Sequence, residues 1–301
     1  MTADIDTLLT ALYVFVDDHL VPPGRRRPGR PRRLSDAELV CLLIAQVLLE
    51  FPRERHWIRY AHAHLRHLFP YLPTASGYGK RVRASGELIA TVIRGLARIT
   101  GSGAPILRLI DSTPVPCGAS RETVKRSDLA GDAGYGYSAS HSRFFWGMRL
   151  YLLATAEGMP ILWCLANPKL DERDVMTALL EADHHLIAEG QVILADRGFA
   201  GAEFERFCHD AGIHLVRPKR ANAKSDLVRT PAERALLRCR QWIESIFQTL
   251  KGQLSLERHG ARRPTGLFAR VGQRLLALAA VIWHNTTIGA PNPRSLIAYD
   301  H

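Results

Sequence analysis

Five short apolar runs, residues 106–111, 144–154, 160–165, 192–195 and 214–217, limit what the second third of this chain can fold into. Runs of this kind, bounded by Gly, Pro and polar clusters, read as buried strands. Three of them precede the first helical pattern of the region, 174–187, which predicts an antiparallel meander. The last two alternate with a second helical pattern, 202–211, which predicts parallel crossovers. The expected fold is α/β, a mixed five-stranded sheet flanked by helices. Residues 117–143 hold Gly131, Gly134 and Gly136 with Tyr135 and Tyr137, and are predicted as a long loop between the first two strands. Two long helices, 231–253 and 266–285, are predicted to follow.

The first hundred residues have a different rhythm. Helical spacing is predicted over 5–20, 35–49, 53–68 and 87–99, and the second helix opens on Ser35-Asp36-Ala37-Glu38, a capping box. Between the first two helices lies a Pro- and Gly-rich segment with six arginines, Arg25, Arg26, Arg27, Arg30, Arg32 and Arg33, and no acid among them. An exposed basic loop is expected there. Its Pro28-Gly29-Arg30-Pro31 core is similar to segments that lie in a DNA minor groove. A second basic group comprises Lys251, Arg258, Arg262, Arg263, Arg270 and Arg274. With 40 Lys+Arg against 29 Asp+Glu, the formal charge is +11, and two basic regions suit an extended polyanion. The expected organisation is a basic helical DNA-binding region over 1–100, a catalytic domain over 101–290 and a tail over 291–301.

Several function classes recede on residue type. Five cysteines, Cys41, Cys117, Cys164, Cys208 and Cys239, form no C-x-x-C pair, so neither a zinc ribbon nor a disulfide framework is indicated. Gly77-Tyr78-Gly79-Lys80-Arg81 approaches a phosphate loop, but Thr74 stands where the first glycine belongs and Arg81 where Ser or Thr belongs, so ATP use is not expected. His62, His64 and His67 lie among arginines and read as a wet basic face. Asp171, Glu172 and Asp174 read as acids complementing a helix dipole. No apolar run reaches the ~18 residues a membrane span requires, and the opening residues lack a basic leader. A cytoplasmic protein is expected.

Three acids stand out. Asp111 ends the first apolar run, Asp196 ends the fourth, and Glu244 sits in a helical pattern. Carboxylates at strand ends are costly to bury unpaired, so three meeting at one point require a cation, and hard oxygen ligands suit Mg²⁺ or Mn²⁺. At 100° per residue, Arg240 and Lys251 fall within about 40° of Glu244, while Trp242 and Ile246 point away, towards a core.

The motifs around these acids are Leu109-Ile110-Asp111-Ser112-Thr113-Pro114-Val115-Pro116, Leu194-Ala195-Asp196-Arg197-Gly198-Phe199 and Arg240-Gln241-Trp242-Ile243-Glu244-Ser245-Ile246-Phe247. Together with Phe145-Trp146-Gly147-Met148-Arg149-Leu150 and the tail Leu250-Lys251 followed by Glu257-Arg258, they resemble the DDE transposases of bacterial insertion sequences. The likeness is to insertion-sequence family 982, within the broader group typified by family 4. Arg240, Glu244 and Lys251 match that group's Arg-x3-Glu-x6-Lys spacing; Leu237 stands where the group has tyrosine. The resemblance implies a ribonuclease-H-like core, catalytic and metal-binding Asp111, Asp196 and Glu244, and a Mg²⁺ cofactor that Mn²⁺ replaces. It also implies double-stranded DNA as partner, terminal repeats and target alike, and a homodimer to bring two ends together. Arg240, Lys251, Arg258, Arg262 and the arginines of the basic loop are the expected DNA contacts. A DNA-binding relative without catalysis, and a ribonuclease-H-like nuclease without transposition, share most of these features.

Overall fold

The computed structural model describes residues 4–20, 32–101, 107–138, 142–187, 190–218 and 230–299. Arg25, Arg26, Arg27 and Arg30 of the basic loop lie outside them. The chain packs as two units, Gly101–Thr249 and the pair of segments Met1–Thr100 and Leu250–His301. By packing, then, residues from Leu250 onward join the first hundred, whereas the sequence boundaries set 101–290 apart.

The helical unit contains α1 (Ile5–His19), α2 (Asp36–Leu48), α3 (Glu54–His64), α4 (Ala75–Arg83), α5 (Gly86–Thr100) and α11 (Pro264–Thr287). The capping box at α2 forms as expected: the Glu38 amide donates to Ser35 Oγ at 3.0 Å and the Ser35 amide to Glu38 Oε2 at 2.6 Å. α11 explains why the C-terminal segment packs here. Its 24 residues are long and apolar enough to cross a bilayer, and 83% of its apolar window is buried. A helix that is apolar all round needs neighbours on every side, and α1, α2, α4 and α5 supply them. The earlier expectation that no apolar stretch reaches spanning length is corrected by this helix. Residues beyond it are anchored too: buried Tyr299 donates to Asn285 Oδ1 at 2.7 Å and lies 2.7 Å from His284 Nδ1. The phosphate-loop-like segment is helix α4, with Tyr78 fully buried and its hydroxyl on Gln46 Oε1 at 2.8 Å.

The sheet unit contains β1 (Leu107–Gly118), α6 (Arg121–Arg126), β2 (Gly134–Ser138), β3 (Arg143–Thr155), β4 (Pro160–Ala166), α7 (Glu172–Ala182), β5 (Val192–Leu194), α8 (Ala202–Asp210), β6 (His214–Val216), α9 (Pro231–Leu236) and α10 (Gln241–Gln248). The sheet has six strands in the order β2-β3-β1-β5-β6, with β4 also on β3. The five expected strands are all present, antiparallel among β1, β3 and β4 and parallel from β1 to β5 and β6. The sixth, β2, together with α6, occupies the stretch expected to be loop. It pairs with β3 from Gly134↔Gly147 to Ser138↔Arg143. β1 also runs further than expected. It continues seven residues past Asp111, and its pairing with β3 passes through Pro114↔Arg149 and Pro116↔Gly147. The parallel pairing with β5 stops at Leu109↔Leu194.

Candidate active site

Register brings the two aspartates together. β1 and β5 are parallel and last paired at Leu109↔Leu194; Asp111 stands two residues further along β1, and Asp196 two residues past the end of β5. Asp111 is therefore inside a strand, not at its end, and only its parallel neighbour stops short of it. Asp196 leads into a single 3₁₀ turn, Arg197–Phe199, whose Phe199 is fully buried beneath it.

Glu244 comes from α10, which packs against β1. The helix is continuous with α9 through a 3₁₀ turn, Leu237–Arg240, so Arg240 lies one turn before Glu244. Arg240 Nη1 donates to Asp196 Oδ1 at 2.6 Å, and its Nη2 is 3.8 Å from Glu244 Oε1. One guanidinium thus joins two of the three acids. Lys251 differs. The helix turns π-helical over Thr249–Gln253, which breaks the 100° spacing, and Lys251 pairs with Glu257 at 3.9 Å. Trp242 also corrects the helical-face expectation, being 43% exposed, whereas Ile246 is buried as expected.

Asp111 is the perturbed group. Its carboxyl is pushed up to about 7, chiefly by burial and further by the charges of Asp196 and Glu172. The Ser112 amide, which donates to Asp111 Oδ1 at 2.7 Å, and the Arg240 charge oppose the rise. Desolvation with like charge nearby makes such a carboxyl a strong candidate for function.

A second layer behind Asp111 was not expected from the sequence. Glu172, at the start of α7, forms an ion pair with Arg149 and accepts from Ser112 Oγ at 3.2 Å. Arg149 Nη1 also donates to Ser112 Oγ at 2.8 Å and its Nη2 to the Tyr137 carbonyl at 3.1 Å. Capping of α7 falls to Asp171, which accepts from the Arg173 amide at 2.9 Å; its carboxyl is lowered to about 2, mainly by the Arg173 side chain. Glu172, in the first turn of α7 as expected, therefore also forms an ion pair near Asp111. The signal available in the sequence was Arg149, a lone cation in the apolar run 144–154.

Other expected contacts are dispersed. Arg32 is exposed and pairs with Asp36 at 3.1 Å; Arg33 lies 4.2 Å above the Tyr71 ring. Arg258 and Arg262 are exposed. His67 lies 3.1 Å from Asp6 and His62 3.4 Å from the Pro73 carbonyl. The five cysteines are free thiols. Among the described residues no three His, Cys, Asp or Glu side chains converge as a metal-binding group. The donor chemistry still fits a divalent cation. Asp111, Asp196 and Glu244 are hard oxygen ligands, burial and the neighbouring acids raise the Asp111 carboxyl, and Arg240 supplies the cation that Asp196 and Glu244 share.

Comparison with known families gives first a class, the enzymes of DNA transposition. The model of the transposase DDE domain matches residues 102–280, more than half of the chain, and the chain belongs to this family. It is a DDE transposase. No curated protein matches it. Among solved structures, the Mos1 transposase paired-end complex with left transposon end is similar at 9% identity, covering 83% of this chain and 96% of that one with a TM-score of 0.24.

Proposed function

We propose that this transposase binds the ends of its insertion sequence, cleaves at their 3′ termini and joins them to target DNA, with Asp111, Asp196 and Glu244 as the catalytic acids. The observation that carries the reading is the parallel register that sets Asp111 and Asp196 two residues past the last β1–β5 pair, with the Arg240 guanidinium joining Asp196 to Glu244. The five-strand core, antiparallel then parallel, supports a ribonuclease-H-like fold, and the motifs support membership of insertion-sequence family 982.

Asp111, Asp196 and Glu244 are the residues that would hold two Mg²⁺ ions, or Mn²⁺ in their place. Bound there, the metal supplies Lewis-acid activation of water or a 3′-hydroxyl and neutralises charge on the departing oxygen. The chain's own residues do the positioning. Ser112 fixes one oxygen of Asp111, Arg149 and Glu172 hold the Ser112 hydroxyl, and Arg240 orients Asp196 towards Glu244. Preorganisation of this kind lowers the cost of assembling charge at the reacting phosphate. The basic helical region, with Arg32, Arg33, Arg258 and Arg262, serves duplex binding, and a helix-turn-helix among its helices reads the terminal repeat. Two ends brought together call for a homodimer. The substrate places the protein in the cytoplasm with the nucleoid.

The test is Mg²⁺-dependent cleavage of a labelled duplex carrying the element's own end. Wild type nicks specifically at the terminus; Asp111→Asn, Asp196→Asn and Glu244→Gln bind the end and do not cut. Strong residual cutting by all three variants would overturn the assignment.

A further inference from the structure

Two arginines in the helical unit face one cavity without a carboxylate to neutralise them. The cavity is about 80 Å³ and lies against α2, α11 and the segment joining the π-helical turn to α11; its lining includes Glu50, Ser255, Arg258, Arg270, Gln273 and Arg274. Arg270 is accounted for, with Nη2 on Glu54 Oε1 at 2.7 Å and Nη1 on the His259 carbonyl at 2.7 Å. Arg274 is not. It is only 6% exposed, its Nε donates to the Ser255 carbonyl at 3.1 Å and its Nη1 to the Arg270 carbonyl at 2.8 Å. Both partners are neutral, and Nη2 donates to none of the described residues. Burial and the nearby Arg270 charge lower the guanidinium to about 10, with no acid among the causes. Arg258, exposed at the rim, makes no ion pair among the described residues. Glu50 is the one carboxylate in the lining.

A buried charge without a counter-ion is costly to keep, and the cost falls when an anion supplies the missing partner. A space of this size admits a tetrahedral oxyanion. Guanidinium groups are the side chains best shaped to bind such oxygens in pairs. We propose that this cavity is a phosphate site, in which Arg274 Nη2 from within and Arg258 from the rim bind the oxygens of one phosphate group. Its source is either the backbone of bound DNA, which rests on the DNA-binding reading above, or free inorganic phosphate.

The experiment uses the full chain. Thermal unfolding is followed in inorganic phosphate and in chloride at matched ionic strength, for wild type, Arg258→Gln and Arg274→Met. Phosphate is expected to raise the wild-type midpoint by about 2 °C or more beyond chloride, and to leave Arg258→Gln unmoved. Because Arg258 is exposed, that variant keeps the test open if Arg274→Met fails to fold. An equal phosphate effect in wild type and Arg258→Gln, or none in wild type, overturns the site. The source is then read from the salt dependence of duplex binding. A slope shallower by about 0.9 in Arg258→Gln means a backbone phosphate sits there. An unchanged slope, with the midpoint shift retained in wild type, means free phosphate is the ligand. Neither arm depends on cleavage, so loss of the catalytic assignment would leave this result standing.

Discussion

Asp111→Asn should stabilise the metal-free protein while it removes activity. The Asp111 carboxyl stands at about 7 in the folded protein against an ordinary value of 3.8. Between those limits the native state holds a proton that the unfolded state has released, so stability falls as pH rises through that window. Below about pH 4 both states are protonated and the acid costs nothing; above about 7 the full penalty is present and the curve flattens. A difference of 7 − 3.8 at 1.36 kcal/mol per pH unit is about 4 kcal/mol. That is an upper figure, because Asp111 is only half-buried and water screens part of the charge. Asparagine is neutral throughout, so the advantage of the variant should grow from near zero at pH 4 to about 1–4 kcal/mol at pH 8. Urea unfolding in chelator at a series of pH values measures this directly. Equal stability of variant and wild type at pH 8 would show that Asp111 is not held in an unfavourable charged state. The argument that the site is built to receive a cation would lose its physical basis.

Three further outcomes test other parts of the structure. Arg240→Gln removes the cation between Asp196 and Glu244 and should lower kcat/KM for end cleavage by about tenfold or more; its stability should change by less than ~1 kcal/mol because the pair is partly exposed. Unaltered cleavage would refute the positioning role. Ser35→Ala removes the α2 cap and should cost about 1 kcal/mol in chemical denaturation, and no loss would mean another group satisfies the Glu38 amide. Gly147→Ala would drive a methyl group into the Val115 carbonyl and to 2.9 Å of the Cys117 nitrogen. Backbone cannot give way as a side chain can, so a loss of ~3 kcal/mol or more is expected, and a variant with wild-type melting would refute that geometry.

How much was legible in the sequence differs by element. The capping box and the five apolar strands were readable because their signals are local. β2 was hidden because Gly134-Tyr135-Gly136-Tyr137 reads as turn. In the structure those glycines make room for tertiary neighbours, Asn167 beside Gly134, and Phe145 and Pro168 beside Gly136. α4 was hidden likewise by Gly77 and Gly79, the second of which leaves space for the Glu54 carboxylate. Of the candidate site, the two aspartates were legible as acids following apolar runs, and the Arg240–Glu244 relation followed from helical spacing alone. The π-helical turn at Thr249–Gln253 and the pairing of Lys251 with Glu257 were hidden because periodicity foresees neither. Glu172 and Arg149 were missed because their contact joins a helix start to the middle of a strand, 23 residues apart in sequence. The basic residues near the C-terminus group together in sequence, yet Arg274 is buried.

The two prolines on β1 have a consequence for how this protein behaves at high concentration. Beyond Leu109 no described strand pairs with the β5 side of β1, and a long, unpaired strand edge is a template on which a second copy can add. Pro114 and Pro116 carry no N–H, and because pairing with β3 passes through both, the missing donors fall on the unpaired side. That edge cannot zip onto another polypeptide. The sheet can stop short beside Asp111 without becoming sticky, and the ground next to the acids stays clear of chains of its own kind.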